Sequence, residues 1–162
     1  MFHLFKRKKI SSTECVDIIE GIVYEHLKPL GFRKHGRTLH RFVEKDISQV
    51  INFQNGCPQK GVYDILWINI GISVPECTEK KFVISEPMKK YYHEYECNIR
   101  TRLGSLVDGE DTFYDLGKRP KKIAADIIDR IKKYVIPVFD VLNSREAILL
   151  YRANYPSFDQ FA

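Results

Sequence analysis

The stretch VYDILWINIGISV, residues 62–74, is the most apolar part of the chain, and it decides the fold. It is rich in isoleucine and has loop-forming segments on both sides, which favours a central β-strand over a helix. Because successive side chains of a strand point to opposite faces, every second residue shares one face. We therefore predict that four residues of this strand are buried together: Leu66, Ile68, Ile70 and Ile72.

Further strand patterns lie on both sides of this central segment. The predicted strands are 38–44, 47–54 and 62–74, followed by 95–102 and a short edge strand at 112–116. Lys45 and Asp46 are predicted to form the first turn, and 75–94 is expected to hold a short helix or a long excursion. Strands joined by short connections pair antiparallel, so an antiparallel sheet is expected.

Helical patterns frame the strands. Ser11 and Glu14 match a capping box, which predicts the start of a first helix that runs to about residue 30. Pro120 opens a second helix at a position where proline is tolerated. Pro137 is expected to kink or end that helix, because it lacks a backbone N–H and its ring strikes the preceding turn.

These elements predict an α+β fold. The sheet has four to five antiparallel strands, with the N-terminal helix and the C-terminal helices, the last at 144–153, packed on one face. We expect a single domain at 11–154, preceded by a flexible basic leader at 1–10 and followed by a tail at 155–162.

Charge argues against a nucleic-acid-binding body. The chain of 162 residues has a net charge of +5, from 26 Lys and Arg against 21 Asp and Glu. Four of the basic residues form the run 6–9; subtracting them from 26 leaves 22 against 21. A nucleic-acid-binding domain carries its basic excess on the folded body, so nucleic acid is a disfavoured partner.

The cysteines and the N-terminus predict a cytoplasmic protein. The four cysteines include no CxxC pair and no zinc spacing with histidine, and no export signal implies an oxidising compartment. No run of about 20 apolar residues is present to span a membrane. Reduced thiols are expected, and the sequence predicts no metal, no cofactor and no particular oligomeric state.

An ordered set of segments resembles a known family. These segments are LKPLGFRKHGRTLHR at 27–41, QVINFQ at 49–54, WINIGISVPE at 67–76, ECNIRTRLG at 96–104 and YDLG at 114–117. Together they resemble the uncharacterised bacterial family catalogued as domain of unknown function 4304, from about residue 27 to residue 151. The resemblance implies a compact α+β domain from bacteria and carries over no activity.

Polar side chains within the predicted strands give a candidate binding surface. Alternation places two residues of each of three strands on one face, and that face would carry Asn52, Gln54, Trp67, Asn69, Arg100 and Arg102. Arginine recognises carboxylate or phosphate through two parallel hydrogen bonds, and amides fix the orientation of a ligand. The alternative is a solvated sheet face whose arginines pair with acidic residues such as Glu96 or Asp115.

A second candidate site is the start of the second helix. Four basic residues lie where the helix dipole is already positive: Lys118, Arg119, Lys121 and Lys122. An anion or an acidic partner at the helix N-terminus would offset this charge, whereas a hydrated surface cluster is the plainer interpretation. The basic segment 33–37 is predicted to be a turn with Gly36 at positive φ.

No catalytic signature emerges, and the chain is not predicted to be an enzyme. Cys97 is interpreted as a buried small residue on the side of its strand opposite Arg100. The first hypothesis is a non-catalytic protein-binding domain, of which an immunity-type inhibitor of a toxin is one form, suggested by analogy with other small orphan domains. The alternatives are a nucleic-acid or phosphate-binding module and an enzyme with an unrecognised site.

Overall fold

The structure is a computed structural model that describes residues 10–56, 64–75, 90–117 and 119–154. The strands are β1 (Arg33–His35), β2 (Thr38–Val43), β3 (Ile47–Gly56), β4 (Ile65–Ser73), β5 (Ile99–Arg102) and β6 (Tyr114–Asp115). The helices are α1 (Ser12–Leu27), α2 (Leu103–Asp108), α3 (Pro120–Arg130), α4 (Ile136–Val141) and α5 (Arg145–Asn154). Residues 1–9 of the predicted leader and the whole predicted tail lie outside the described residues.

The α+β prediction is confirmed by a six-stranded antiparallel sheet. Its order is β1-β2-β3-β4-β5, and β6 pairs with the beginning of β4, at Ile65 and Leu66. The sheet gains a strand over the prediction because Arg33–His35, interpreted as part of a turn, pairs with β2. Gly36, in the turn between them, has the predicted positive φ of 54°.

One face of the sheet forms the core with the helices. The predicted buried set on β4, from Leu66 to Ile72, is confirmed, since each of its four members is at most 4% exposed. Ile51 lies opposite Ile70 in the neighbouring strand and is itself fully buried. Side chains from α1, α3, α4 and α5 complete this cluster, among them Ile19, Ile127 and Phe139. Helices therefore cover one face, which leaves the other for polar side chains.

The helix starts follow the sequence signals more closely than the helix interiors do. The capping box is confirmed: the backbone N–H of Glu14 donates to Ser11 Oγ at 3.1 Å, and that of Ser11 donates to Glu14 Oε2 at 2.8 Å. Pro137 does not end its helix, because α3 passes through a π-helix at Ile131–Val135 directly into α4. The local change of hydrogen-bonding pattern accommodates the missing proline N–H.

Gln49 is a buried amide that the sequence analysis overlooked. It lies on the core face of β3, fully buried, and its Nε2 donates to the Phe139 carbonyl at 2.6 Å near the end of α4. Its Oε1 accepts from Arg41 Nε at 2.7 Å. A residue with the same parity as Ile51 must point into the core, so alternation alone carried the signal for this structural role.

None of the helices in the described ranges is both long enough and apolar enough to span a bilayer.

Candidate functional site

The register of the sheet brings the six predicted binding residues to one face, here called the polar sheet face. One row of residues crosses the four neighbouring strands β2 to β5, each residue paired with the next: Thr38, Asn52, Asn69 and Arg102. Gln54 pairs with Trp67 in the next row. Arg100 stands two residues from Arg102 on β5, opposite Gly71. Since antiparallel partners point to the same side, these side chains form one continuous surface on the side away from the helices.

Three amides at the centre of the polar sheet face hold one another in place. Asn69 Nδ2 donates to Gln54 Oε1 at 2.9 Å and to Asn52 Oδ1 at 3.3 Å. Asn52 Nδ2 donates in turn to Thr38 Oγ1 at 3.1 Å. The Asn69 side chain is buried, with 4% of the residue exposed, whereas Gln54 is exposed to solvent. The network therefore fixes the amide orientations and presents Gln54 to solvent.

Arg102 and Trp67 stack on each other on this face. The guanidinium carbon of Arg102 lies 4.7 Å from the centre of the Trp67 ring, a cation–π arrangement. Phe113 meets the same indole edge-on, with ring centroids 6.1 Å apart, and is 50% exposed. A Cβ on Gly56 would overlap the indole, so glycine lets the ring lie flat against β3. Trp67 is thus fixed between backbone and guanidinium.

Both arginines of the polar sheet face are paired with carboxylates of the chain itself. Arg100 Nε lies 2.7 Å from Glu94 Oε1, and Arg102 Nη1 contacts Asp111 Oδ2. Glu96 and Asp115 were the acidic partners expected from the sequence for a solvated sheet face. Glu96 instead accepts from the His93 N–H, and Asp115 accepts from the Gly117 N–H. The charge of each guanidinium group is therefore neutralised by a carboxylate of the chain, which also fixes its orientation on the sheet surface.

The chain segment from Tyr91 to Cys97, here called the strap, covers the other end of the same sheet face. Tyr91 stacks on His35 of β1, with ring centroids 3.6 Å apart, and Tyr92 packs against Phe42 of β2. The sulfur of Cys97 occupies the space above Gly71, where a Cβ would lie 2.6 Å from it. Among the described residues, the strap thus leaves the Arg102 end of the sheet as the open part of this face.

Burial of Cys97 excludes it as an activated nucleophile. Its side chain packs with Val50 and Tyr92 on the strap side of the sheet, and burial raises the pKa of its thiol. Its predicted position on the side opposite Arg100 is wrong: the 3-10 turn at Glu94–Glu96 precedes β5, so strand alternation does not extend back to residue 97. A thiol held neutral in an apolar site is structural.

We expect the described thiols to be protected in the native protein. Cys15 and Cys97 are buried and free, and burial raises the pKa of each. Alkylation with iodoacetamide followed by mass spectrometry should leave both unmodified in the native state. All four cysteines of the chain, including Cys57 and Cys77, should become modified after unfolding without a reductant. Rapid native labelling of Cys97, or a disulfide in the isolated protein, would contradict this account.

His40 lies next to the strap, and we expect it to make the stability of the protein depend on pH. It is buried on β2 near Tyr91 and Phe42, and its pKa is lowered by burial and, to a smaller extent, by His35 and Arg33. A lowered pKa means that the unfolded chain binds the proton more tightly than the folded protein does. This contribution to stability is therefore complete above the unfolded pKa of about 6.5 and is lost as the pH falls toward the folded value.

Acidification should lower the free energy of unfolding partly through this one residue. Urea unfolding of the wild type between about pH 8 and about pH 5 should show a fall in stability that is smaller in a His40→Phe variant. His26→Gln serves as the control, because His26 is exposed on α1, away from the strap, and its replacement should leave the dependence in place. An identical pH dependence in wild type and His40→Phe would show that His40 is not responsible.

In the basic segment 33–37, Arg33 and His35 lie on the same side of the sheet as Thr38, at the end that the strap covers. Lys34 and Arg37 instead bind α1: Lys34 Nζ lies 3.1 Å from Glu20 Oε1, and Arg37 Nη2 lies 2.8 Å from Asp17 Oδ1. At the start of α3, Arg119 is the N-cap and Lys121 and Lys122 are exposed, whereas Lys118 lies outside the described residues. That cluster lies on a different element and remains a separate prediction.

The architecture defines a class of protein before any relative is considered. It is an α+β domain in which helices fill one face of an antiparallel sheet, while a strap and an ordered polar surface share the other. The chain belongs to the family described as domain of unknown function 4304, whose model matches residues 23–141. No curated protein and no solved structure matches the chain.

Proposed function

We propose that this chain is a non-catalytic protein-binding domain that contacts its partner through the open part of the polar sheet face. The observation that carries the proposal is the stack of Arg102 on Trp67 beside the exposed ring of Phe113. Arginine, tryptophan and other aromatic residues supply most of the binding energy of protein interfaces, usually near their centre. Their convergence on one surface supports an interface there.

The rigidity of the surface supports the same proposal. Trp67 lies against Gly56, Arg102 is held by Asp111, and Asn69 is held by its two amide neighbours. Side chains that are ordered before contact lose less conformational entropy when a partner binds. A merely solvated sheet face requires no such order, since lysine and glutamate keep it soluble without fixed geometry.

Charge argues against the nucleic-acid alternative. The two arginines of the polar sheet face are already paired with Glu94 and Asp111. Residues 94–115, which form the strap end, β5, α2 and the following loop, contain six acidic side chains and two basic ones. A phosphate backbone would meet net negative charge here, whereas nucleic-acid affinity depends on unpaired lysine and arginine.

The compartment that we propose is the reducing cytoplasm of a bacterium. The free and buried thiols of Cys15 and Cys97 fit that setting, since disulfides form in oxidising compartments. An immunity-type inhibitor of a toxin is one form of the proposed domain. Co-expression of the chain with proteins encoded beside its gene would test that form: protection of the host from one of them supports it.

Site-directed photo-cross-linking in the native host tests the binding surface. A photoreactive amino acid at position 113 should cross-link to a defined protein, because Phe113 is exposed at the centre of the proposed interface. The same group at Glu25, exposed on α1 on the far side of the sheet, is the matched control. Cross-links of equal yield from both positions, or none from position 113, would contradict the proposal.

A further inference from the structure

A cleft of about 170 Å³ opens beside the polar sheet face. It exists because β5 pairs with β4 only from Asn69 onward, while β6 pairs with β4 only at Ile65 and Leu66. The chain between β5 and β6, which contains α2 and the loop 109–113, arches out from β4 between those two pairings. Ile68 forms part of the floor of the cleft, and Phe113 forms part of its wall.

Gly104 fixes the shape of the cleft. Gly104 is the second residue of α2. The loop returns so close to it that a Cβ added at Gly104 would lie 2.6 Å from the Thr112 backbone nitrogen. Thr112 Oγ1 then donates to Asp108 Oδ2 at 2.8 Å. Thr112 therefore holds the loop against both the beginning and the end of α2.

Two carboxylates share the guanidinium of Arg130, which lines the cleft: Asp108 also lines it, whereas Asp126 lies outside its lining. Arg130 donates to Asp108 Oδ2 at 2.7 Å and lies 3.0 Å from Asp126 Oδ2 through its Nε. The Tyr114 hydroxyl also donates to Asp126, at 2.7 Å. The hydrogen bonds from Arg130 and Thr112 hold the pKa of Asp108 below its usual range, so it stays ionised. The network therefore carries one negative charge in excess at neutral pH.

The mouth of the cleft combines that charge with an aromatic surface. Phe113 is half exposed there. Its ring lines the cleft and also contacts Trp67, so the cleft adjoins the polar sheet face. An aromatic ring attracts a cation through its negative face, and an adjacent carboxylate strengthens the attraction. An anionic group would meet excess negative charge, and a purely apolar group would cover Asp108 and Arg130 without hydrogen bonds.

We propose that this cleft receives a lysine or arginine side chain of the partner protein, with its charged end at Asp108 and its aliphatic stem along Phe113. This inference rests on the proposed function and adds the chemistry of the partner, which presents a basic surface. The acidic excess of residues 94–115, in a chain whose net charge is +5, has the complementary sign. Long basic side chains pack their methylene groups on apolar surface while the charge stays hydrogen-bonded.

Small probes test the cleft without the partner. The full chain, labelled with ¹⁵N, is titrated with N-acetyl-arginine amide and N-acetyl-lysine amide, with N-acetyl-glutamine amide as the neutral control. We expect saturable amide shifts at Gly104, Thr112 and Phe113 with at least one cationic probe and none with the neutral one. Equal shifts from the neutral probe, or no saturable shift from either cation, would overturn the inference.

Matched variants then test the role of the Asp108 carboxylate in binding the protein that cross-linking at position 113 identifies. Asp108→Asn should weaken binding by about tenfold or more, because it removes the charge that faces the cation. Glu110→Gln, an exposed neighbour in the same loop, should change binding less than about twofold. Because Asp108 also holds Arg130, Phe113→Ala is a second variant, and thermal unfolding verifies that each variant is folded.

The outcomes separate the two proposals. Cross-links from position 113 and lost affinity in the Arg100→Ala, Arg102→Ala variant, together with unchanged affinity in Asp108→Asn, would overturn the cleft inference and leave the protein-binding proposal standing. Absence of any protein cross-link would overturn the protein-binding proposal and, with it, a partner side chain as the occupant, whatever the small probes do.

Discussion

Replacing Ile51 with Ala is expected to lower the free energy of unfolding by about 2–5 kcal/mol. Ile51 is fully buried at the middle of β3. It lies between Leu39 of β2 and Ile70 of β4, and the helices cover it from above. The truncation removes apolar contacts and leaves a cavity that neighbouring strands cannot close without breaking their register.

Urea unfolding monitored by circular dichroism measures this loss. Asn55→Ala, at an exposed position near the end of the same strand, is the matched control and should change the free energy of unfolding by less than about 0.5 kcal/mol. A loss below about 1 kcal/mol in Ile51→Ala would show that the helical layer does not pack on this face of the sheet as described.

Alternation and end signals made most of the fold predictable. The apolar parity of residues 66–72 identified the buried face of the central strand, and Ser11 with Glu14 identified the start of α1, since both signals act within a few residues. Helix α2 was not predicted, because Gly104 and Ser105 are weak helix formers. Its close contact with the returning loop, between Gly104 and Thr112, is one that sequence patterns do not reveal.

The polar sheet face was predictable as a set of positions but not as a set of contacts. Parity within β3, β4 and β5 placed Asn52, Asn69 and Arg102 on one side, and the register aligned them in one row. The carboxylate that holds Arg102 comes from Asp111, beyond a helix that the sequence did not reveal. The strap was equally hidden, because its packing on β1 and β2 depends on side chains far apart in sequence.

Replacing Arg100 and Arg102 with Ala together is expected to abolish partner binding while the fold is retained. Both side chains lie on the surface of the sheet, and the ion pair of Arg102 with Asp111 is exposed enough to contribute little to stability. The Glu94 side chain is only 13% exposed, so loss of Arg100 should lower stability somewhat more without unfolding the domain. At an interface the same side chains would be desolvated beside Trp67. Loss of two such anchors should weaken binding by about 100-fold or more.

A control with the same change of net charge accompanies this variant. Lys132→Ala with Lys133→Ala removes two positive charges from an exposed part of the helix between α3 and α4, on the other side of the molecule. General electrostatic attraction would be weakened equally by either double substitution. A specific role for the polar sheet face predicts a loss only when Arg100 and Arg102 are removed.

Isothermal titration calorimetry, with the partner that cross-linking identifies, tests most directly whether the polar sheet face binds that partner. The account predicts that wild type and the Lys132/Lys133 double variant bind with the same Kd within about twofold, and that the Arg100→Ala, Arg102→Ala protein binds about 100-fold more weakly or not at all. Circular dichroism and thermal unfolding establish that all three are folded. Equal affinity in all three proteins would contradict the account and leave the polar sheet face a solvated surface.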